Sequence, residues 1–372
     1  MLKRPGPPAP APARKRAQAG RGKRIESLDL ALQGGGSHGA FTWGVLDRLL
    51  EEEWLEIAAI SGTSAGAMNA VALAAGLMQG GRSGARRVLR AFWTRVAELS
   101  PFHAWQVGPL ASIAGPFSNW LAPWLQPFTQ AAAQWSSQYS PYQFNPLNHH
   151  PLREVLTDTV DFDRVRNCTK SQLFIAATQV RTGALRVFEQ RELSADVVLA
   201  SACLPMMFQA VHIDGEAYWD GGYAGNPSLL PLITDGPADD LLLVQINPIE
   251  RVTLPTSADD ILDRINEVTF NASLLKELRL IALLQQLVAG QHRSGHADGD
   301  LLFRRMQTLR VHLLDGGETL AALGGASKTN TQWSFLTRLH ALGRASAQRW
   351  LAAHGQAIGR RSSFDPATLL QH

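Results

Sequence analysis

The pentapeptide Gly62-Thr63-Ser64-Ala65-Gly66 places a hydroxyl between small residues where the apolar run EIAAIS (56–61) meets an alanine-rich stretch. A G-x-S-x-G turn between a strand and a helix is tight, leaves no room for Cβ bulk around the serine, and lifts its hydroxyl to the helix N-terminus. There, free N–H groups and the helix dipole favour the anion that forms as the oxygen attacks a carbonyl. Ser64 is therefore the candidate nucleophile. Just upstream, LALQGGGSHGAF (30–41) ends a second apolar run in three glycines. Gly34 to Gly39 satisfies the G-x-G-x-x-G pattern of a dinucleotide turn, but such a fold wants an acidic residue at the end of the second strand, where this chain has the serine elbow. A P-loop would need Lys-Ser or Lys-Thr after the glycines, and none follows. Read with the elbow, Gly34, Gly35, Gly36 and Ser37 offer successive N–H groups and Ala65 another, which suits the negative oxygen of a tetrahedral intermediate.

A serine needs a base. His212, His292, His296 and His312 follow it in the order an α/β-hydrolase triad requires, but none sits in a distinctive turn. Two Asp-Gly-Gly turns, at Asp220 and Asp315, could each present a carboxylate on a tight loop, and each could equally be a plain turn.

The elements that must hold these groups alternate. Strand patterns lie near 28–33, 56–61, 172–180, 241–247 and 309–314, and helical patterns near 39–53, 65–78 and 85–99. Strands separated by crossover helices predict a mainly parallel sheet covered on both faces. QLFIAATQVRTGALRVFE (172–189) reads as a hairpin turning at 181–183. Ser257 is placed to cap a long helix with Ile261, Ile265, Val268, Ala272 and Leu275 on one stripe, and a last helix near 331–353 stops before Gly355.

With 372 residues, 45% hydrophobic and 18% charged, the chain is long enough for one large catalytic domain with insertions. Residues 1–25 hold eight basic and no acidic residues, while the remainder carries 27 basic and 32 acidic. This Pro-, Ala- and Gly-rich start has no apolar core of a signal peptide and is expected to be a disordered basic tail over 1–26. Such a tail is suited to anionic headgroups, and no specific nucleic-acid site is expected. Two cysteines, Cys168 and Cys203, build no disulfide framework and fit a reducing, cytoplasmic setting. Residues 99–152 hold ten aromatics and no Asp, Glu, Lys or Arg. Prolines interrupt this stretch, so it is expected to be an aromatic, lid-like helical insertion rather than a membrane span.

Four stretches, LALQGGGSHGAFTWGVLDRLLEE, ISGTSAGAMNA, ASACLPMMFQAV and EAYWDGGYAGNPSLLPL, occur in the order and spacing of the patatin-like phospholipase family, which the chain resembles over about 28–250. The resemblance implies a three-layer α/β/α fold around a mainly parallel sheet and a lipid acyl hydrolase working on phospholipid or another lipid ester. It implies no metal and no organic cofactor. It assigns Ser64 as nucleophile, Asp220 as proton acceptor in a Ser-Asp dyad, and Gly34, Gly35 and Gly36 to the oxyanion loop, with Gly39, Gly62, Gly66, Gly221 and Gly222 as motif glycines. Asp220 is preferred over Asp315 because it follows Ala-Ser-Ala-x-x-Pro (200–205) and precedes Asn226-Pro227. His38 departs from the pattern, since many members carry Arg there.

The expected organisation is then a catalytic domain over 27–355, a C-terminal extension over 256–355 made of helices and one strand, and a flexible tail over 356–372. Peripheral contact with the anionic inner face of the membrane is the expected setting. The competing readings are a non-catalytic lipid- or granule-surface-binding protein and a Ser-His-Asp esterase.

Overall fold

The computed structural model describes residues 24–99, 140–251, 253–292 and 301–370. The expectations for the basic tail, for most of the aromatic insertion and for His296 lie outside these residues.

Eight strands form one sheet: β1 (Glu26–Leu32), β2 (Leu55–Gly62), β3 (Gln172–Gln179), β4 (Leu185–Glu189), β5 (Val211–Ile213), β6 (Glu216–Asp220), β7 (Asp240–Val244) and β8 (Arg310–Leu314). Their order is β5-β6-β3-β2-β1-β7-β8, with β4 on β3. β3, β2, β1, β7 and β8 run parallel, while β4 and β6 are antiparallel to β3. The parallel register puts Leu32 beside Gly62 and Val244, so the glycine turn and the elbow leave the sheet side by side at the same end. Ligand sites of open α/β sheets lie outside that end.

Besides the one-turn helices Pro141–Phe144 and Gly317–Ala321, the helices among the described residues are α1 (Gly39–Leu49), α2 (Ala65–Glu98), α3 (Pro151–Thr159), α4 (Phe162–Arg166), α5 (Ala195–Ser201), α6 (Leu230–Thr234), α7 (Ala258–His292), α8 (Leu301–Thr308) and α9 (Trp333–His354). The two helical patterns expected after the elbow are the two arms of α2, which is interrupted where Gly80 and Gly81 leave helical geometry. Side chains alternate across the strands. Leu28, Leu30 and Leu32 enter a core with α1, α2 and α9, while Ala31, Phe174, Leu241 and Leu243 enter a second core with α6, α7 and α8. A sheet apolar on both faces must be covered on both, and three-layer α/β/α is the result. Each fully buried Leu or Phe in these cores contributes about 1.5–3 kcal/mol.

Two expectations are corrected. The stripe foreseen on α7 faces outward at Ile261, Ile265 and Val268, whereas Glu267, Asn271, Leu274, Leu278 and Ile281 are buried. Polar residues hold the inward face in its first half because they have partners: Glu267 pairs with Arg251 and Arg264, and Asn271 bonds Gln33 and Pro248. Residues 356–370, foreseen as part of a flexible tail, are tied to the sheet edge. Gly359 donates to Asp240, Ser362 accepts from the Val311 amide, and Ser363 bonds His312. No helix among the described residues is long and apolar enough to cross a membrane.

Candidate active site

The elbow is built by close approach. A Cβ on Gly66 would stand 2.1 Å from the Leu32 carbonyl oxygen, and one on Gly62 would stand 2.8 Å from the Gly66 backbone, so only glycine lets α2 start against β1. Ser64 takes φ 53° and ψ −120°, a strained conformation for a non-glycine residue. Its N–H donates to the Ser201 hydroxyl at 2.9 Å, which holds the strained residue in place. Thr63 donates its hydroxyl to the Gly225 carbonyl at 2.7 Å, and Ser61 donates to that of Ser228 at 2.6 Å. Both bonds fasten the elbow to the segment that follows Asp220.

Asp220 ends β6 and lies 1% exposed. Its N–H donates to the Cys203 carbonyl, its own carbonyl accepts from Thr178, and its Oδ1 accepts from the Gly222 amide at 2.7 Å. The Ser64 side chain lies close enough to the same carboxyl group to favour its charged form. Burial pushes that carboxyl up to about 7, against the opposing pull of the Gly222 amide and Ser64. A carboxyl pushed toward neutrality beside a serine has the chemistry of a general base. Gly221 and Gly222 leave no space for side chains, because Ala176 backbone oxygen and the Phe270 ring would each stand 2.2 Å from an added Cβ.

The glycine turn abuts the serine. A Cβ on Gly34 would stand 2.7 Å from the Ser64 Cβ, and one on Gly39 would stand 2.6 Å from the Ala65 Cβ. The Gly34 N–H, expected among the oxyanion donors, is already engaged by the Asn226 side-chain oxygen at 2.6 Å, so it holds the loop instead. The amides of Gly35, Gly36, Ser37 and Ala65 carry no such bond among the described residues. His38 is buried, shares a 2.7 Å hydrogen bond with Ser327, and is held down to about 4 by burial and by the nearby Lys328 ammonium, so it is neutral at physiological pH.

The other candidates lie elsewhere. Asp315 is exposed, and its Oδ1 accepts from Gly317 within its own turn. His212 is exposed on β5. His312 is fully buried and bonds Asp240 and Ser363, toward the opposite ends of the parallel strands. Sequence reasoning passed over Ser201, Asn226 as the loop anchor, Asn247 and Lys328. Among these, Asn226 had a visible signal, its place six residues after the aspartate.

A strained serine elbow at the C-terminal end of a parallel sheet, with a buried carboxylate and a glycine turn beside it, is an arrangement of the α/β hydrolase class. The family model described as patatin-like phospholipase matches residues 30–233, more than half of the chain, and the chain belongs to that family of lipid hydrolases. No curated protein matches it in sequence. Among solved structures it is similar to VipD from Legionella pneumophila, at 14% identity and TM-score 0.42, over 88% of this chain and 67% of that one. It is also similar to a chain in the complex of full-length SpcU with full-length ExoU from the type III secretion system of Pseudomonas aeruginosa. There the identity is 18% and the TM-score 0.28, over 94% of this chain and 74% of that one.

Proposed function

We propose that the protein is a serine acyl hydrolase of membrane lipid esters, phospholipids foremost, working through a Ser64–Asp220 dyad. The observation that carries this reading is the buried Asp220 carboxyl beside Ser64, pushed up to about 7 by burial.

In the first step Asp220 takes the Ser64 proton as Oγ attacks the ester carbonyl. The carbonyl oxygen becomes an oxyanion that meets the amides of Gly35, Gly36, Ser37 and Ala65 at the start of α2. Collapse of the intermediate expels the alcohol, which takes the proton back from Asp220 and leaves an acyl-enzyme. Asp220 then deprotonates a water that attacks the acyl group, and collapse of this second intermediate frees the fatty acid while the Ser64 oxygen takes the proton back from Asp220. The chain needs neither metal nor cofactor for these steps.

A lipid substrate fits the surroundings. Beyond Cys203, which accepts the Asp220 N–H, the chain exposes Met206 (63%) and Met207 (42%). Tyr142 OH and the Asn145 carbonyl bond this same segment at Ala210 and Gln209, and Tyr142 and Leu147 are exposed as well. No charged residue lies in 140–152 or 197–213. Such a surface favours acyl chains and peripheral contact with a bilayer at the cytoplasmic face, and nothing in it selects a nucleic acid.

The test is Ser64→Ala with a fluorophosphonate probe and a phospholipid screen. The variant keeps the wild-type melting temperature, loses hydrolysis and loses labelling. Hydrolysis that survives in folded Ser64→Ala overturns the serine mechanism.

A further inference from the structure

Residues outside the family match wall in the glycine turn. The side chain of Gln33, at the end of β1, accepts the Ile246 and Asn247 amides, each at 2.7 Å, and donates to Asn271 at 2.8 Å. This fixes the backbone just after β7. Asn247, 1% exposed, then reaches two ways: its Nδ2 donates to the Gly34 carbonyl at 3.0 Å, and its Oδ1 accepts from the Lys328 ammonium at 2.7 Å. Lys328 lies in the turn Gly325–Thr329, which also supplies Ser327 to His38 and packs so closely that a Cβ on Gly36 would stand 2.4 Å from the Lys328 carbonyl oxygen.

The Gly34 carbonyl and the Gly35 N–H belong to one rigid peptide unit, so a hydrogen bond received at the oxygen polarises the N–H on the other side. A bond that originates at a cation is stronger than a neutral one, and a chain of bonds passes part of that polarisation on. The order here is the Lys328 ammonium, the Asn247 amide, the Gly34 carbonyl and the Gly35 N–H. Asn226 clamps the other side of the same glycine through its N–H at 2.6 Å, which fixes where the Gly34–Gly35 unit points.

We propose that Lys328, acting through Asn247, is a positioning and polarising residue for the Gly35 oxyanion donor. The inference rests on the serine hydrolase reading above. Neither residue touches substrate: the cation raises the donor strength of an amide that does, and holds it in register with Ser64. The catalytic loop of the family domain is thereby completed by the C-terminal part of the chain.

The experiment compares wild type, Lys328→Met, Lys328→Arg, Asn247→Asp and the Lys328→Met/Asn247→Asp double variant on one short-chain ester, with fluorophosphonate inactivation and thermal melts in parallel. Removing an oxyanion donor outright costs about 10²- to 10³-fold in kcat, so weakening one should cost about tenfold, with KM within about twofold. Lys328→Met and Asn247→Asp each lower kcat and the inactivation rate in that way. Asn247→Asp does so with the lysine contact intact, because its carboxylate accepts from Lys328 but cannot donate to Gly34. The double variant is no worse than the poorer single one, as links of one chain require. Lys328→Arg keeps most of the activity.

Folded Lys328→Met and Asn247→Asp with wild-type kcat, losses confined to KM, or losses that multiply in the double variant overturn the inference while leaving the dyad standing. If Lys328→Met does not fold, Asn247→Asp decides by the same kcat and inactivation readings. A wild type without Ser64-dependent hydrolysis overturns both readings.

Discussion

Ser64 and Asp220 come together across β3, one leaving the end of β2 and the other ending β6, close enough for the serine to favour the charged form of the carboxyl. Neither group is unusual in the unfolded chain. The fold makes the pair by burying the carboxylate, so that water no longer stabilises its charge, while one amide remains to bond it. A carboxylate of ordinary proton affinity would be a poor base for a hydroxyl, and one ionising near 7 is matched to neutral pH.

The pH profile follows. In the free enzyme the base works only when ionised, so kcat/KM rises with pH and levels off above about 7. The dyad has no imidazole, and burial of the aspartate is what puts a titration near neutrality. A carboxyl ionises with little heat and an imidazole with much more. The midpoint measured at several temperatures should therefore stay nearly fixed, and a midpoint that falls steadily on warming would assign it to a histidine instead.

Asp220→Asn separates function from stability. It removes proton acceptance and should cost about 10²- to 10⁴-fold in kcat/KM. The folded-state pKa of Asp220 is raised from 3.8 to about 7, so the fold favours its protonated form: the stability this gives is present below pH 4 and lost as pH rises through 7. The neutral amide escapes that loss. Melts of Asp220→Asn against wild type should show a gain at pH 8 that shrinks toward pH 4, and Asp315→Asn should leave both activity and melting unchanged.

The motifs were legible in the sequence because each is local: an elbow, a glycine run and an Asp-Gly-Gly turn all carry their geometry in a few consecutive residues. Parallel strands and their crossover helices were legible from period alone. What escaped was held by contacts between distant segments. That Asn226 takes the Gly34 N–H, and that Asn247 ties Lys328 to the same glycine, depends on which loops meet at the sheet end. The outward turn of Ile265 and Val268 on α7 escaped for a related reason: Glu267 and Asn271 find buried partners, so hydrophobic periodicity points at the wrong face.

Gly34→Ala tests the contact between loop and elbow. The added methyl would stand 2.7 Å from the Ser64 Cβ and 2.9 Å from the Thr63 carbonyl oxygen, so loop and serine must move apart. A displacement of about 1 Å at reacting groups costs about 10²-fold. The loss should fall on kcat, since the surface that receives acyl chains is elsewhere, and labelling by the fluorophosphonate should slow in parallel. Wild-type kcat in a folded Gly34→Ala enzyme would show that the glycine turn does not serve the oxyanion.

His312 is where an α/β-hydrolase reading would look for its base, and its neighbours have the composition of a triad: Asp240 at 2.9 Å from Nε2 and Ser363 at 2.8 Å from Nδ1. The geometry argues for a lock instead. The ring is fully buried, the Ser363 amide points at the same Nδ1 and at the Val311 carbonyl, and Asp240 also holds Arg310 and the Gly359 amide. The Ser363 N–H is thus already engaged, and the bonds tie residues 359–363 to the sheet edge. Removing the ring strips partners from buried polar groups, at about 1–3 kcal/mol for each group left unsatisfied. His312→Ala should therefore lower the melting temperature and expose the C-terminal residues to protease, while kcat/KM per folded molecule stays at the wild-type value. A folded His312→Ala enzyme as inactive as Ser64→Ala would transfer the role of base from Asp220 to His312.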